Sequence, residues 1–197
     1  MKNIIAKSFT TILIAMVTFL DAQTINRYGT TTANFLEIGI GSRATSMGDA
    51  YVAVANDVSS IYWNPAGLSH VTNSSALFSI QPWLVDIDMM FAGGAFVVPS
   101  VGVIGLGITH LDYGEMDVTN LEYQDGTGER FGASDVAATF TFSRKIVSWF
   151  SFGSSMKYIS SKIWHSSASA FAVDLGVLVN TNFFSFTGKD KDGMNIG

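Results

Sequence analysis

DVAATFTFSRK, residues 135–145, alternates between two kinds of side chain along its length. One face carries Val136, Ala138, Phe140 and Phe142, and the other Ala137, Thr139, Thr141 and Ser143. A period of two is that of a β-strand, whose side chains point to opposite faces in turn. The next stretch repeats the pattern, with Phe150, Phe152, Met156 and Tyr158 against Ser151, Gly153, Ser155 and Lys157. A third sets Phe171, Val173, Leu175, Val177 and Val179 against Ala172, Asp174, Gly176 and Asn180. Upstream, Ile104, Leu106 and Ile108 oppose Gly105, Gly107 and Thr109. These runs are about 10–13 residues long, whereas strands of soluble sandwiches run about 5–6 and tilted membrane strands roughly 9–11. Bulky apolar faces opposite small polar ones predict an all-β, antiparallel outer-membrane β-barrel with its greasy face outward.

Connections fit that expectation. Pro99-Ser100 and Ile146 to Ser148 are tight links, while 113–132 and 163–169 are longer and more polar. Barrels of the outer membrane alternate short periplasmic turns with longer external loops. Trp83, Trp149 and Trp164 fall near strand ends, where interfacial aromatics belong. The predicted strands are 75–82, 87–98, 101–112, 134–145, 149–162 and 170–180, with a seventh beginning at Met194 or at Phe183. Single-chain bacterial barrels have an even count of at least eight. Residues 73–197 are therefore expected to be the N-terminal half of a transmembrane barrel.

Composition agrees. Charged residues make up 14% of the 197, against about 25% in an average chain, the deficit a lipid-facing surface produces. There is no cysteine, hence no disulfide and no thiolate chemistry. Lys2 and Lys7 followed by the 12-residue run Phe9 to Leu20, with Ala22 beyond it, form a signal-peptide pattern over 1–22, too short to span a membrane. Its removal would take Lys2, Lys7 and Asp21 and shift the formal charge from −5 to −6. So acidic a chain is a poor nucleic-acid binder. The expected location is the outer membrane of a Gram-negative bacterium, reached through a cleaved signal peptide.

Between signal and strands, within 23–72, lies FLEIGIGSRATSMGDAYVAVANDVSSIYWNPAGL, residues 35–68. Its small residues and its Asn64-Pro65-Ala66-Gly67 turn predict a compact plug. Proline fixes φ and the Asn side chain can bond the backbone beyond it, so Asn64, Pro65 and Gly67 form either a rigid corner or a hinge. Gly39 to Ala44 fits G-x-G-x-x-A with Asp57 roughly where an acid would stand, but βαβ alternation is missing and close backbone packing explains the glycines better.

GSRATSMGDAYVAVANDVSSIYWNPAGL (41–68), HLDYGEM (110–116), DGTGERF (125–131), MKY (156–158) and AVDLG (172–176) together resemble the PorV/PorQ family of outer-membrane proteins, related to the FadL-type transporters. The resemblance implies a barrel of 14 strands with an N-terminal plug, of which this chain holds six to seven. It implies a non-catalytic part in type IX protein secretion, recognising secreted cargo or translocon partners through the loops 113–132 and 163–169. The FadL relation implies an alternative, a channel for a hydrophobic small molecule.

Lys157 and Asp174 lie on the small-polar faces of neighbouring strands, so both are expected inside the barrel, with Arg43, Asp49 and Asp57 of the plug as possible partners. His110 and Asp112 share a strand face, but two ligands are too few for zinc, and His70 and His165 are far away in sequence. Asp190 to Gly193 lacks the spacing of a calcium loop. No catalytic motif is present, no cofactor is implied, and no enzymatic activity is expected.

Overall fold

The structure, a computed structural model, describes residues 33–85, 87–181 and 194–197. The predicted signal segment lies outside these residues, as do the alternative strand start at Phe183 and the Asp190–Gly193 turn. Among the described residues seven strands form one antiparallel sheet in sequence order: β1 (Ser75–Pro82), β2 (Asp88–Val98), β3 (Gly102–Asp117), β4 (Arg130–Val147), β5 (Phe150–Ile163), β6 (Ser166–Thr181) and β7 (Met194–Ile196). The sheet is curled into half of a barrel, every neighbour joined as a meander. The seventh strand begins at Met194, the first of the two predicted starts.

Two loops are shorter than predicted. The predicted 163–169 loop is a turn at Trp164-His165, with β6 already running from Ser166. Ser166 to Ala170 carries only serine and alanine, so its pleat shows no contrast of polarity to read. The predicted 113–132 loop shrinks to 118–129, because β3 continues past a register shift between Asp112 and Glu115. Such a bulge lets a strand change its twist without leaving the ladder.

Cross-strand register turns the alternation into two continuous faces. One row of the outer face is Phe78, Ala92, Ile108, Ala138, Tyr158 and Phe171. The next is Ala76, Gly94, Leu106, Phe140, Met156 and Val173. A third runs Phe96, Ile104, Phe142, Ser154 and Leu175. Large side chains here stand in the open: Phe171 is 75% exposed and Leu175 73%. The rows end in polar residues on the long-loop side, at Asp88, Asp112, Ser134, Lys162 and Ser167.

The inner face is covered. Residues 33–72 cross it as four helical turns, Asn34–Glu37, Ser42–Thr45, Ser60–Trp63 and Pro65–His70. Among the described residues no helix is long and apolar enough to cross a membrane. Phe35, Ile40, Val58, Ile61 and Leu68 from this segment pack with Met89, Phe91, Val103, Leu111 and Ile159 from the sheet. The hydrophobic core therefore lies between segment and sheet. Tyr62 Oη reaches the carbonyls of Leu36 (2.6 Å) and Ile38 (2.8 Å), and Trp63 Nε1 donates to Ile40 O at 3.1 Å. These bonds tie the two halves of the segment together.

Candidate functional site

The Asn64-Pro65-Ala66-Gly67 turn is buried against the sheet, with Asn64 only 3% exposed. Asn64 Oδ1 accepts from Ala66 N (3.1 Å), and Pro65 stands at the first position of the following 3-10 turn. The missing N–H of proline costs nothing there, and the Asn side chain satisfies one free amide. Asn64 Nδ2 also donates to Val52 O and to Val177 O of β6 (3.0 and 3.1 Å). The same amide thus stitches the segment to itself and to the sheet.

What admits the turn is a pair of glycines facing each other across β5 and β6. Gly153 pairs with Gly176. A Cβ on Gly153 would sit 2.3 Å from the Pro65 carbonyl carbon, and one on Gly176 2.3 Å from Asn64 Oδ1. Gly105 and Gly107 do the same for Ile61, at 2.9 Å each. Ser143 on β4 completes the seat, donating to Ala66 O and accepting from Ser69 N (both 3.1 Å). Gly153, Gly176 and Ser143 were legible in the sequence only as members of a small-polar face; their pairing under the turn depends on register.

Beside this seat Lys157 Nζ meets Asp174 Oδ2 at 2.7 Å. The two occupy diagonal positions, since Lys157 pairs with Ala172 and Asp174 with Ser155. Diagonal neighbours are about 7–8 Å apart at the backbone, within reach of a lysine. Both project to the inner face, the lysine side chain only 12% exposed and the carboxylate 39%. Lys157 Nζ also lies 5.9 Å from the Tyr62 ring centre. Burial, then the Asp49 and Glu37 charges, push the Tyr62 hydroxyl well above its usual range. It stays a neutral donor to the two carbonyls at any physiological pH.

Arg43 and Asp57 form a separate group. Arg43 Nη1 donates to Asn56 Oδ1 (2.9 Å) and lies 3.6 Å from Asp57 Oδ2, and its guanidinium stands over the Tyr51 ring. Asp57 accepts from Tyr51 Oη (3.0 Å) and from Ser59 N (2.9 Å), which opens the Ser60–Trp63 turn. Burial and the Asp57 hydrogen bond raise the Tyr51 pKa. Arg43 and Asp57 thus hold the segment's own fold, and neither bonds Lys157 or Asp174. Asp49 packs its carboxylate against Gly39, leaving no room for a Cβ there. Gly39 follows a 3-10 turn and precedes a four-residue helix.

At the long-loop end, residues 118–129 are closed by Val118 N to Glu129 O (2.9 Å) and Thr127 N to Val118 O (2.8 Å). Asn120 Oδ1 accepts from the amides of Glu122 and Tyr123, which leaves Leu121 96% exposed at the tip. Arg130 binds Glu115 and Asp117 across the base, both at 3.0 Å. His110 and Asp112 share the outer face of β3, and no group of three or more metal-ligating side chains occurs among the described residues. No protein-family model and no curated protein matches the chain.

Proposed function

We propose that the chain is the N-terminal part of an outer-membrane β-barrel of the PorV/PorQ type, in which residues 33–72 plug the lumen. Its role would be a non-catalytic one in type IX secretion, recognising cargo or translocon partners.

The observation that carries the membrane placement is the outer face. Its apolar rows extend across β1 to β6, and many of their large side chains stand exposed among the described residues. Five row steps, from Met90 to the level of Phe150, with His110, Ser160 and Arg144 as polar members towards the two ends, cover about 10 residues or some 34 Å of strand. With a tilt of about 40° that becomes roughly 26 Å of height, close to the ~25 Å apolar band of outer-membrane barrels. A soluble sheet would have to cover such a surface.

The secretion role draws on the resemblance and on where its stretches lie. Residues 41–68 form the segment whose turn sits on the sheet at Gly153 and Gly176, next to Lys157 of MKY and Asp174 of AVDLG. HLDYGEM contains the β3 register shift, and DGTGERF pairs back beside it through Arg130. The displayed loop, with Leu121 and Tyr123 outward among acids, suits protein recognition. The test is deletion of the gene with a surface-attached cargo as reporter. Loss of cargo from the surface, with cargo co-purifying with the wild-type protein, is the expected result; undiminished secretion would sink the assignment.

One observation favours the FadL-like alternative. Inner-face residues Met89, Phe91, Leu111 and Ile159 are apolar, whereas barrel interiors are ordinarily polar. Uptake of a labelled long-chain fatty acid that falls in the deletion strain, with secretion intact, would select transport instead.

A further inference from the structure

The β1–β2 hairpin ends in an apolar tip that the fold does not use. Trp83 N donates to Ile87 O (2.8 Å) and Ile87 N to Leu84 O (3.1 Å), so the chain reverses in a closed turn. Leu84 is 65% exposed and Val85 97%. Val85 also takes φ +56, in the left-handed region that a β-branched side chain seldom enters. Glycine would sit there without that strain. A strained valine that touches almost nothing in its own molecule points to a contact outside it.

Beside the tip stand two carboxylates without a counter-charge. Asp88 closes the hairpin opposite Pro82 and directly faces Asp112 on β3. Like charges directly opposite each other in a ladder destabilise it. Asp112 accepts from Gly114 N (3.0 Å), and neither carboxylate has an ion-pair partner among the described residues. The next acids along β3 differ, since Glu115 and Asp117 are both held by Arg130. An apolar knob next to an unbalanced acidic pair is complementary to a surface with an apolar pocket and a basic rim.

We propose that this hairpin tip is a docking knob for a second, different protein. Leu84 and Val85 enter an apolar pocket of that partner, and a lysine or arginine at the pocket's rim meets Asp88 and Asp112. The knob rests on the recognition role proposed above and adds to the 118–129 loop another contact and a partner chemistry. A lipid surface is a poorer match, because anionic headgroups attract basic side chains and repel acids. A second copy of this chain is a poorer match too. In two copies facing each other here, Asp88 and Asp112 of each would meet with Lys162 of each to balance them, Arg130 being already taken.

The test puts the photo-reactive amino acid p-benzoylphenylalanine in place of Leu84 in the full-length protein, in the outer membrane of the cells that make it. The expected adduct is with one other protein, at a stretch where apolar residues adjoin a lysine or arginine. Val85→Gly should leave the protein at least as resistant to denaturant, since it relieves the backbone, yet lower the adduct roughly tenfold. Asp88→Asn with Asp112→Asn should lower it as well. Added salt should weaken the wild-type contact and leave that of the double variant unchanged. Changing the partner's basic residue to glutamate should abolish the adduct, and Asp88→Lys should then restore it. Adducts with lipid alone, or with a second copy of the chain, overturn the proposal. So does an adduct that neither Val85→Gly nor the double variant lowers. Surface cargo separates the knob from the secretion role. Cargo still secreted by the Val85→Gly strain, with the adduct lost, keeps the knob and removes secretion as its purpose. Cargo lost on deletion of the gene, with no protein adduct at position 84, keeps secretion and removes the knob.

Discussion

The glycine pair under the Asn64-Pro65 turn sets how firmly residues 33–72 are held. A single methyl at Gly153 would fall 2.3 Å from Pro65 C and 2.5 Å from Ala66 N, against backbone that cannot rotate away. Gly153→Ala should therefore cost about 1–3 kcal/mol, the usual penalty of overpacking, read as a lower denaturant midpoint and faster proteolysis within 33–72. Gly132→Ala, whose Cβ would meet nothing nearer than 3.7 Å, is the control and should be near neutral. The ion pair gives a second expectation. Lys157 is nearly buried, so Asp174→Asn leaves its ammonium without a counter-charge, whereas Lys157→Met removes the charge itself. Asp174→Asn should be the worse single change, by about 1–3 kcal/mol after allowing for the carboxylate's partial exposure, and the double variant should recover part of the loss. A double-mutant cycle with no coupling would refute the pair's contribution. His70 adds a pH dependence. Burial, then Lys145, lower its pKa below 6.5, so the unfolded chain binds its proton more readily than the folded one. Stability should be full above pH ~6.5 and fall as pH drops below it, and His70→Gln should flatten that part of the curve. The turn at Asn64-Pro65 was legible because Asn and Pro act locally; its two glycine supports were not, since their meaning arises from a β5–β6 pairing that sequence spacing does not encode.

Strands were legible wherever large and small residues alternate, and the reason is physical. Phe140 and Phe142, alternating with Thr139, Thr141 and Ser143, leave one register that keeps aromatics off the covered face, and a slip of one residue would reverse every side chain. Where contrast fails, so does the pattern. Ser166 to Ala170 pairs with β5 through Ile163↔Ser166 and Ile159↔Ala170, yet nothing in a run of serine and alanine marks a face. β3 beyond Asp112 was missed for another reason, the register shift before Glu115, which breaks the period of two. The covered face was harder still: the sequence separates Leu111 and Met89 from Phe35, and only the curl of the sheet brings them into one core. At this scale the apolar rows make a direct prediction. Phe140 and Leu175 stand in the outer band, 47% and 73% exposed. Phe140→Asp or Leu175→Asp should lower the amount of protein in the outer-membrane fraction, with a cost that for Arg or Lys at midplane is about 2–4 kcal/mol and for Asp is smaller. Wild-type membrane levels for both variants would mean that this face does not meet lipid.

Across the whole sheet, acidic side chains gather at the long-loop end, while Arg144 and Lys145 are the charged residues of the strands at the short-turn end. The loop 118–129 is tied at its base by Arg130 to Glu115 and Asp117 and closed by its own backbone bonds, so it can be exchanged without disturbing the rows of β3 and β4. Replacing residues 119–126 with a short Asn-Gly turn removes Leu121 and Tyr123, the exposed apolar side chains at its tip, together with Glu122 and Asp125. Arg130, Glu115, Asp117 and the inner face covered by residues 33–72 all remain. If the protein works in secretion by displaying this loop to a partner, the exchanged protein should reach the outer membrane at normal levels and retain its resistance to protease over 33–72. It should, however, fail to restore surface cargo to a deletion strain. Leu121→Ala with Tyr123→Ala should reproduce most of that defect, since a few buried anchors carry most of an interface's binding free energy. Full restoration of cargo by the loop exchange would move recognition elsewhere, and Leu84 and Val85 on the β1–β2 connection, 65% and 97% exposed at the same end, would be the next to test. Restoration by the double-alanine variant but not by the exchange would place recognition in the acids Glu122 and Asp125, and binding should then weaken steeply with added salt.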